Sequence, residues 1–319
     1  MNNPFISVII PNYCHSKYLT QRIESILDQT YQDFEIIILD DCSPDEGASR
    51  AVIEKYRDNP HVSHIVYNEQ NSGSTFIQWN KGISLAKGEY CWIAESDDYC
   101  ESNMLETLVD QVKKHDNVVI AYCIPQYVDE GGKIIRPMSE SDEIFFWKGS
   151  FFVKRLMSHS AAIWNASAAI FKRENAISMD RCYMDYVAAG DRLFWSILAI
   201  QGNVIHVNKR LSWFRQHGNE VSPGKKRQGI TSKEDFRILN YLEEKKWINC
   251  IDSFVAHHIY LEDVENYTFY SDEIKKDLIK MWTYEGRVPA FIIHLVGRLY
   301  WSSLQNLSSL KKSLVNIFS

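Results

Sequence analysis

Short apolar runs alternate with amphipathic segments in the first third of the chain, and this alternation restricts the fold more than any other feature. ISVIIP (residues 6–11) and FEIIILDD (34–41) are uninterrupted and rich in β-branched residues, as strands buried on both faces of a parallel sheet are. Each is followed by a segment with apolar residues at helical spacing, YLTQRIESILDQT (18–30) and ASRAVIEKYRD (48–58). The pattern predicts an α/β fold.

The same alternation continues beyond these two units. VSHIVYN (62–68) and EYCWIA (89–94) read as further strands, and STFIQWNKGISLAKG (74–88) reads as the helix between them. MLETLVDQVKKH (104–115) and VVIAYC (118–123) repeat the pattern. Sheets wound in this way bind ligands outside the carboxyl ends of their strands, where the loops gather.

Two of these strands end in clusters of acidic residues. Asp40 and Asp41 follow the second strand, while Glu95, Asp97 and Asp98 follow the fourth. Carboxylates this close repel each other unless a cation or a firm hydrogen-bond network lies among them, although a solvated turn is the common alternative. The chain has no GxGxxG after its first strand and no GxxxxGK[ST]. A bound phosphate would therefore need another partner, and Mg²⁺ or Mn²⁺ held by carboxylates is one.

Composition excludes several classes of protein. The chain has 319 residues, of which 45% are hydrophobic and 24% are charged, as in a soluble protein with one large domain or two unequal ones. Its formal net charge of -6 argues against a protein built to coat nucleic acid. The seven cysteines are scattered without a CxxC pair, which favours reduced thiols over a disulfide framework or a zinc cluster.

Membrane and export signals are weak. The N-terminal sequence MNNPFISVIIPNY lacks a basic lead and a long apolar core, and no run supplies the roughly 20 apolar residues of a membrane span. We expect a cytoplasmic protein, with peripheral attachment at the inner face of the cell membrane as a second option.

Several segments together resemble one known family. SVIIPNYCHSKYL, SILDQTYQDFEIIILDDCSPDEG, NSG before WNKGISLAKGEY, and AESDD are similar, in this order, to the nucleotide-binding half of family 2 glycosyltransferases of the GT-A fold. AGDRLFWSILAIQGNVIHVNKRLSWFRQH (189–217) resembles the later block that holds the family's catalytic carboxylate. The resemblance implies a Rossmann-like nucleotide-diphospho-sugar transferase domain, placed at residues 1–218, and a helical C-terminal region at 219–319.

The resemblance also implies an activity. It is the inverting transfer of a sugar from a nucleotide diphosphate donor, taken to be a UDP-sugar, to a hydroxyl of a growing glycan in bacterial surface polysaccharide synthesis. Mn²⁺ or Mg²⁺ is the implied cofactor, a glycan or lipid-linked oligosaccharide is the implied acceptor, and no nucleic acid is involved.

Nucleotide-binding residues carry over from the matching motifs. Pro11, Asn12 and Tyr13 correspond to the loop that holds the nucleobase, and Asp41 corresponds to the acid that accepts from its imide N–H. A turn cap is the alternative role of Asp41. Gly73 lies in the NSG segment, where either close backbone approach to the donor or a simple turn is expected.

The acidic segment matches the family's DxD position, with Glu95 where many members have aspartate. The resemblance implies Asp98 as the direct metal ligand, Asp97 as a contact to ribose or metal-bound water, and Glu95 as a further ligand. In WFRQH, it implies that Arg215 contacts phosphate and that His217 binds the metal, with a lone surface histidine as the alternative.

Asp191 falls where the family keeps its general base, often in an ED pair whose first member is here Gly190. The resemblance implies that Asp191 removes the proton from the acceptor hydroxyl. A helix N-cap is the alternative role, because GDRLFWSIL reads as a helix start.

Two tryptophans, one histidine and an apolar stripe near the C-terminus each allow a structural role. Trp147 and Trp164 are candidates for stacking on an acceptor sugar, but we expect them in the core. We expect His15 to be structural. In PAFIIHLVGRLYWSSLQNL (289–307), the apolar stripe through Ile292, Leu295 and Leu299 predicts either a packed helix or a helix that lies on an anionic membrane.

Two other classes of function stay open. A glycoside hydrolase would use two carboxylates, such as Asp98 and Asp191, without nucleotide or metal. An inactive sugar-binding module would explain Glu95 and Gly190 as decayed positions. Stabilisation by nucleotide separates the first from a transferase, and donor turnover separates the second.

Overall fold

The computed structural model describes residues 3–217 and 221–300, which form two compact units. Of the described residues, the first unit contains 3–152 and 163–217, and the second contains 153–162 and 221–300.

The first unit is an α/β unit, as the alternation predicted. Its strands are β1 (Ile6–Asn12), β2 (Phe34–Asp40), β3 (Val62–Tyr67), β4 (Tyr90–Ile93), β5 (Tyr99–Cys100), β6 (Val118–Val128), β7 (Ile134–Arg136), β8 (Ile144–Lys148), β9 (Ala169–Lys172) and β10 (Asn203–Arg215). Its helices are α1 (Ser16–Leu27), α2 (Ala48–Ile53), α3 (Thr75–Leu85), α4 (Met104–Lys114), α5 (Gly149–Phe152), α6 (Arg173–Ser178) and α7 (Gly190–Ala199).

One mixed sheet carries all the strands, in the order β3-β2-β1-β4-β9-β6-β10-β5, with β7 on β6 and β8 on β10. β1 pairs in parallel with β2 and β4, and β6 pairs in parallel with β10. β9 is antiparallel to both β4 and β6, so β4 and β6 run in the same direction. The carboxyl ends of β1, β2, β4, β6 and β10 therefore lie at one edge of the sheet.

Burial explains why these segments form strands and helices. Every residue of β1 and β2 is buried, because helices cover both faces of the sheet at this point. On α1, the positions at helical spacing, Leu19, Ile23 and Ile26, are fully buried in the core. Full burial of one such side chain stabilises the fold by about 1.5–3 kcal/mol.

Two glycines let α3 and the turn after it approach β1. A Cβ at Gly82 would lie 2.2 Å from Ile9 Cγ2, and one at Gly88 would lie 2.6 Å from the Ser7 backbone nitrogen. The helix predicted over residues 74–88 was expected to end at Gly88, but α3 ends at Leu85. Close backbone approach, rather than helix capping, is thus what requires glycine at position 88.

The second unit is helical. It contains α8 (Val221–Arg227), α9 (Ile230–Glu244), α10 (Cys250–Asn266) and α11 (Asp272–Trp282), and residues 290–300 are also helical. The buried carboxylate of Asp252 pairs with Arg155 at 2.9 Å and Lys154 at 3.1 Å. These ion pairs attach residues 153–162 to the helical unit, an insertion that the two consecutive domains predicted from the sequence did not include. No helix within residues 3–217 and 221–300 is both long and apolar enough to cross a membrane.

Candidate active site

Two histidines and a carboxylate meet at the carboxyl edge of the sheet. Asp97 follows β4, His217 follows β10, and His15 lies directly before α1. Each offers one ligand atom, and these three atoms lie within 4.8 Å of one another. His217 Nε2 is 2.9 Å from Asp97 Oδ2. A carboxylate and two imidazoles at this separation can hold a divalent cation.

Neighbouring side chains orient both histidines. His15 Nδ1 is hydrogen-bonded to Ser96 Oγ at 2.9 Å, and the ring of Tyr18 stacks on His217 with centroids 5.6 Å apart. The His15 and His217 rings meet edge to face at 5.4 Å. Such outer contacts fix the ring orientation of histidines that bind metals.

The surroundings of Asp97 and His15 shift the pKa values of both groups. Burial raises the pKa of the Asp97 carboxyl, but the hydrogen bond with His217 and the charges of His15 and His217 outweigh it and hold the pKa below its usual value. Burial also lowers the pKa of His15, despite the nearby charge of Asp97. At neutral pH, the group therefore offers an ionised carboxylate and a neutral imidazole, the forms that bind metal.

Asp98 occupies a different environment from Asp97. It is 1% exposed, and its two carboxylate oxygens accept hydrogen bonds from Asn165 Nδ2 at 2.8 Å and the Arg215 backbone N–H at 2.9 Å. Burial, followed by the charge of Asp97, raises the pKa of Asp98. The structure does not bring Asp98, the predicted direct ligand, into the group formed by Asp97 and the two histidines.

Glu95 is bound to α3. Its Oε1 accepts a hydrogen bond from Trp79 Nε1 at 2.8 Å, and its backbone N–H donates to Ser167 Oγ at 3.0 Å. Burial and then the charge of Asp97 raise the pKa of Glu95 to about 8. Glu95 does not belong to the group of ligand atoms formed by Asp97 and the two histidines, so its role as a ligand stays a prediction.

Arg215 organises the protein around the site. Its Nε donates to the Asp97 carbonyl oxygen at 2.8 Å, and its two other nitrogens donate to the Glu130 carbonyl oxygen at 2.7 Å and Gln21 Oε1 at 2.6 Å. The guanidinium carbon also lies 4.7 Å from the ring centroid of Tyr18. Because most of its N–H groups bind protein atoms, few are available for the predicted phosphate contact.

Asp41 ties the end of β2 to the NSG segment. Its Oδ1 accepts from Asn68 Nδ2 at 2.6 Å, the Ser72 backbone N–H at 2.9 Å and Gln78 Nε2 at 2.9 Å, while its Oδ2 accepts from Ser72 Oγ at 2.7 Å. Gly73 has a φ of +76°, with nothing within 4 Å of an added Cβ. Its conformation accounts for glycine in this turn without close approach of another protein group.

The loop after β1 has a buried part and an exposed part. Pro11 is buried, and the buried Asn12 donates from Nδ2 to Asp40 Oδ1 at 2.7 Å. Tyr13 is 45% exposed. Of the three residues predicted to hold the base, Tyr13 is the one whose ring has a large surface to offer to a ligand.

Asp191 lies inside the first turn of α7, which begins at Gly190. The N-cap is Ala189, so the predicted alternative role of Asp191 as the N-cap is wrong. Asp191 Oδ1 accepts from the Arg192 backbone N–H at 2.8 Å. A Cβ at Gly190 would lie 2.6 Å from a ring carbon of Phe76, which accounts for the missing glutamate of the family's ED pair.

Sequence reasoning missed His15 as a functional candidate. It lies within the segment quoted for the resemblance, directly after the β1 loop. The signal that would have found it is strand order: β1 pairs with β4, so the loop that carries His15 meets the loop that carries Asp97. Sequence alone does not specify that pairing.

Neither tryptophan belongs to the buried core in which we expected both. Trp147 is half-buried between Phe145 and Phe151, with ring centroids 5.9 and 5.5 Å away. Trp164 is 44% exposed, so the expectation is wrong at this position.

A sheet of this kind, with a group of polar side chains at the carboxyl ends of its strands, is typical of α/β enzymes, which bind their substrates there. Residues 7–175 match the family described as Glycosyl transferase family 2. The chain is 34% identical over 223 residues to Glycosyltransferase GlyG of Streptococcus pneumoniae serotype 4, covering 68% of this chain and 72% of that protein. It is 37% identical over 103 residues to the putative teichuronic acid biosynthesis glycosyltransferase TuaG of Bacillus subtilis, covering 32% and 40%.

A solved structure shows the same fold. The structure of S. aureus TarS 1–349 in complex with UDP-GlcNAc aligns with a TM-score of 0.58 at 17% identity, over 93% of this chain and 92% of that one. The chain therefore belongs to glycosyltransferase family 2 and is a glycosyltransferase. The resemblance seen in the sequence and the GT-A fold expected from it, with a helical C-terminal region, are confirmed.

Proposed function

We propose that this enzyme transfers a sugar from a UDP-sugar to a hydroxyl of a growing bacterial surface glycan, with inversion and with a divalent cation. The observation that carries the proposal is the group of His15, Asp97 and His217 at the edge where the predicted nucleotide loops end. The names of two similar proteins support it, since TarS was solved with UDP-GlcNAc and TuaG is named for teichuronic acid biosynthesis.

The donor set fits a cation. Two imidazoles and one carboxylate suit Mn²⁺ better than Mg²⁺, which prefers oxygen ligands alone. Asp97, His217 and His15 would hold the cation, and Asp98 would support the loop beneath them through Asn165 and Arg215. When bound, the cation supplies Lewis-acid stabilisation of the charge on the leaving diphosphate.

The chain's own residues bind the nucleotide. The exposed ring of Tyr13 stacks on the base. Asp41 Oδ2 accepts a hydrogen bond from Ser72 Oγ, and a carboxylate oxygen can accept a second one, here from the imide N–H of uracil. Pro11 and Asn12 shape this loop from within, and Gly73 supplies the turn beside it.

Asp191 supplies the base. Its carboxylate takes the proton of the acceptor hydroxyl while that oxygen attacks the anomeric carbon from the face opposite the diphosphate. One displacement inverts the configuration at that carbon. Asp191 lies in the first turn of α7, where its carboxylate Oδ1 accepts from the Arg192 backbone N–H.

Thermal stability with UDP, with and without Mn²⁺, tests the metal assignment. In the wild type, we expect Mn²⁺ to raise the melting temperature further than UDP alone does. In Asp97→Asn, this additional effect of Mn²⁺ should disappear, while the melting temperature of the variant without ligand should stay close to that of the wild type. The matched variant Asp98→Asn should keep the response to Mn²⁺. Its free energy of unfolding should fall by about 1–3 kcal/mol, because an amide N–H₂ would face a buried donor.

If Asp98→Asn lost the response to Mn²⁺ and Asp97→Asn kept it, Asp98 would be the metal ligand, as the sequence predicted. No response of the wild type to UDP at any Mn²⁺ concentration would contradict the proposal and favour the hydrolase. Release of UDP from a UDP-sugar in the presence of acceptor completes the test, because an inactive module would bind UDP without turnover.

We further propose peripheral attachment to an anionic membrane through the C-terminal helix. Within residues 290–300, Phe291, Ile292 and Leu295 are exposed, while Ile293 on the other side is buried. The sequence from residue 286 to 319 contains no aspartate or glutamate. Exposed apolar side chains in an acid-free segment favour an anionic lipid surface.

A further inference from the structure

We propose that Trp164 and Arg136 form a subsite for a negatively charged sugar of the acceptor, an inference that rests on the function proposed above. The subsite would recognise an acceptor unit whose ring stacks on the indole and whose carboxylate or phosphate pairs with the guanidinium.

The position of Trp164 follows from its neighbour in the sequence. Asn165 Nδ2 donates to Asp98 Oδ2 at 2.8 Å, so Trp164 lies one residue from a direct contact to the acidic loop. The hairpin that carries Arg136 is tied to the same loop, because Arg215 donates to both the Asp97 and Glu130 carbonyl oxygens. The segments that carry Trp164 and Arg136 are therefore both tied to the loop of Asp97 and Asp98.

The two side chains also meet each other. The Arg136 guanidinium carbon lies 5.9 Å from the Trp164 ring centroid and 5.2 Å from that of Tyr127. Tyr127 in turn packs against Phe214, with centroids 5.2 Å apart. Stacking on two aromatic rings fixes the plane of the guanidinium, which reduces the freedom that binding a ligand would remove.

Exposure and charge make this pair available to a ligand. Trp164 is 44% exposed, the only tryptophan among the exposed large hydrophobic residues of the described ranges. Arg136 is exposed and forms no ion pair with any residue that the structure describes. A planar cation of this kind pairs with the two oxygens of a carboxylate or phosphate.

The strand that carries Arg136 offers a surface for a longer chain. All three residues of β7 are exposed, and Ile134 and Ile135 add apolar surface beside the arginine. The apolar C–H face of a sugar can cover such side chains. A cation here also offsets the repulsion that an anionic acceptor would meet at Asp97.

Ligand-observed saturation-transfer NMR with simple glycosides tests the subsite. The probes are methyl β-D-glucuronide, methyl β-D-glucoside 6-phosphate and the neutral methyl β-D-glucoside, each added to the protein with UDP and Mn²⁺. We expect at least one anionic probe to bind the wild type about threefold or more tightly than the neutral probe, as one exposed charge pair allows. The two anionic probes distinguish a carboxylate from a phosphate as the recognised group.

Variants assign the effect to the two residues. Arg136→Gln should abolish the preference for the anionic probe and leave neutral binding unchanged, whereas Lys133→Gln, which removes an exposed cation from the same hairpin, should keep it. Trp164→Ala should weaken all three probes, and Trp164→Phe should recover part of the loss. Equal binding of charged and neutral probes to the wild type, or an unchanged preference in Arg136→Gln, would overturn the subsite.

The UDP and Mn²⁺ response separates this proposal from the one it rests on. Both residues are exposed, so Arg136→Gln and Trp164→Ala should keep the wild-type melting temperature and its shift with UDP. If the wild type shows that shift without any anionic preference, the subsite is wrong and the donor function stands. If the wild type shows no shift, the donor function itself fails.

Discussion

Asp97 and Asp98 are consecutive residues with different surroundings. The half-buried Asp97 carboxylate faces two imidazoles, which stabilise its charge, whereas Asp98 is enclosed and accepts from Asn165 and a backbone N–H. Two adjacent carboxylates that shared one environment would raise each other's pKa. Their separation leaves one ionised group for a ligand and one group that holds the loop in place.

Asp191→Asn tests the assignment of the base. The asparagine Oδ1 can still accept from the Arg192 N–H, so stability should change little, but it cannot take the hydroxyl proton. We expect transfer at saturating donor to fall by roughly 10²- to 10⁴-fold, with the affinity for UDP unchanged. Transfer rates and UDP titrations measure the two effects.

Asp180→Asn is the matched control for that variant. Asp180 is an exposed carboxylate that accepts from the Cys182 backbone N–H at 3.0 Å, an equivalent local contact. The Asp180→Asn variant should keep the wild-type rate of sugar transfer. Near-normal transfer by Asp191→Asn, or a product with the anomeric configuration of the donor, would remove Asp191 as the base.

For individual residues, sequence motifs located the candidate site but did not assign a role to each side chain. The acidic segment and WFRQH were recognisable because their order matches a family. Which of the two adjacent aspartates faces the histidines depends on the path of the loop, which Arg215 fixes by donating to the Asp97 carbonyl oxygen. That bond joins residues far apart in the chain and has no local sequence signal.

The packing of α7 on α3 leaves no room for a side chain at position 190. A Cβ there would lie 2.6 Å from Phe76 Cε2 and 2.6 Å from the Tyr183 carbonyl oxygen. We expect Gly190→Ala to lower the free energy of unfolding by about 1–3 kcal/mol, as overpacking does. Gly190→Glu, which rebuilds the family's acidic pair, should cost more and should not raise the transfer rate.

Gly224→Ala is the control for the cost of adding a methyl group at a helical glycine. Nothing lies within 4 Å of a Cβ at this position in α8, so alanine should gain about 0.5–1 kcal/mol of stability. Urea unfolding of the three variants gives the comparison. A Gly190→Ala protein as stable as the wild type would show that α7 can shift away from α3.

His206 on β10 makes stability depend on pH. Its ring is stacked between Tyr122 and Phe145, at 4.5 and 5.5 Å, and burial lowers its pKa to about 4. An unfolded histidine titrates near 6.5, so the unfolded chain binds the extra proton between these two values. The stabilisation is therefore complete above pH ~6.5 and is lost as the pH falls towards ~4, by an amount on the order of 2–3 kcal/mol.

His206→Phe keeps the stack and removes the titration. Urea unfolding at several pH values between 7 and 4.5 should show a smaller loss of stability in the variant than in the wild type. Since other groups titrate in the same range, the difference between the two proteins is the relevant quantity. Parallel pH profiles would contradict a neutral, buried His206.

Elements were predictable where one local pattern fixes them. The uninterrupted runs of β1 and β2 and the spaced apolar residues of α1 gave these elements correctly, because burial on two faces or one leaves a local signature. The insertion of β9 between β4 and β6 was not predicted, because its four residues carry no signal of their partners. Strand order depends on contacts between residues far apart in the chain. The proximity of His15 and Asp97 follows from that order, so the sequence did not predict it.

At the scale of the whole chain, the described residues separate into an α/β unit and a helical unit that has its own core. In the second unit, Trp282 is fully buried and donates from Nε1 to Ser232 Oγ at 2.9 Å, and its carbonyl oxygen is 2.8 Å from His257 Nδ1. Such a core leaves the exposed apolar residues of 290–300 unnecessary for folding this unit. The surface role proposed for them can therefore be tested separately from folding.

Vesicle binding by the full-length protein tests that role. We expect the wild type to bind vesicles containing phosphatidylglycerol more tightly than vesicles of phosphatidylcholine alone, and to release them at high salt, because attraction to anionic lipid is screened. The double variant Phe291→Ser with Leu295→Ser should bind roughly tenfold or more weakly, since each of these side chains contributes about 1.5–3 kcal/mol when fully buried in an apolar phase. Co-sedimentation with vesicles measures both effects.

Ile251→Ser controls for the loss of an exposed apolar side chain elsewhere in the helical unit, on α10, and should bind vesicles as the wild type does. The double variant should keep its melting temperature, because both replaced side chains are exposed, and its response to UDP and Mn²⁺, because the residues proposed for that response all belong to the α/β unit. Unfolding of the double variant would instead identify the stripe as core, the alternative open at the level of sequence. Wild-type binding that the double variant retains would place the lipid contact on another surface, and a wild type that ignores anionic vesicles would exclude the membrane role.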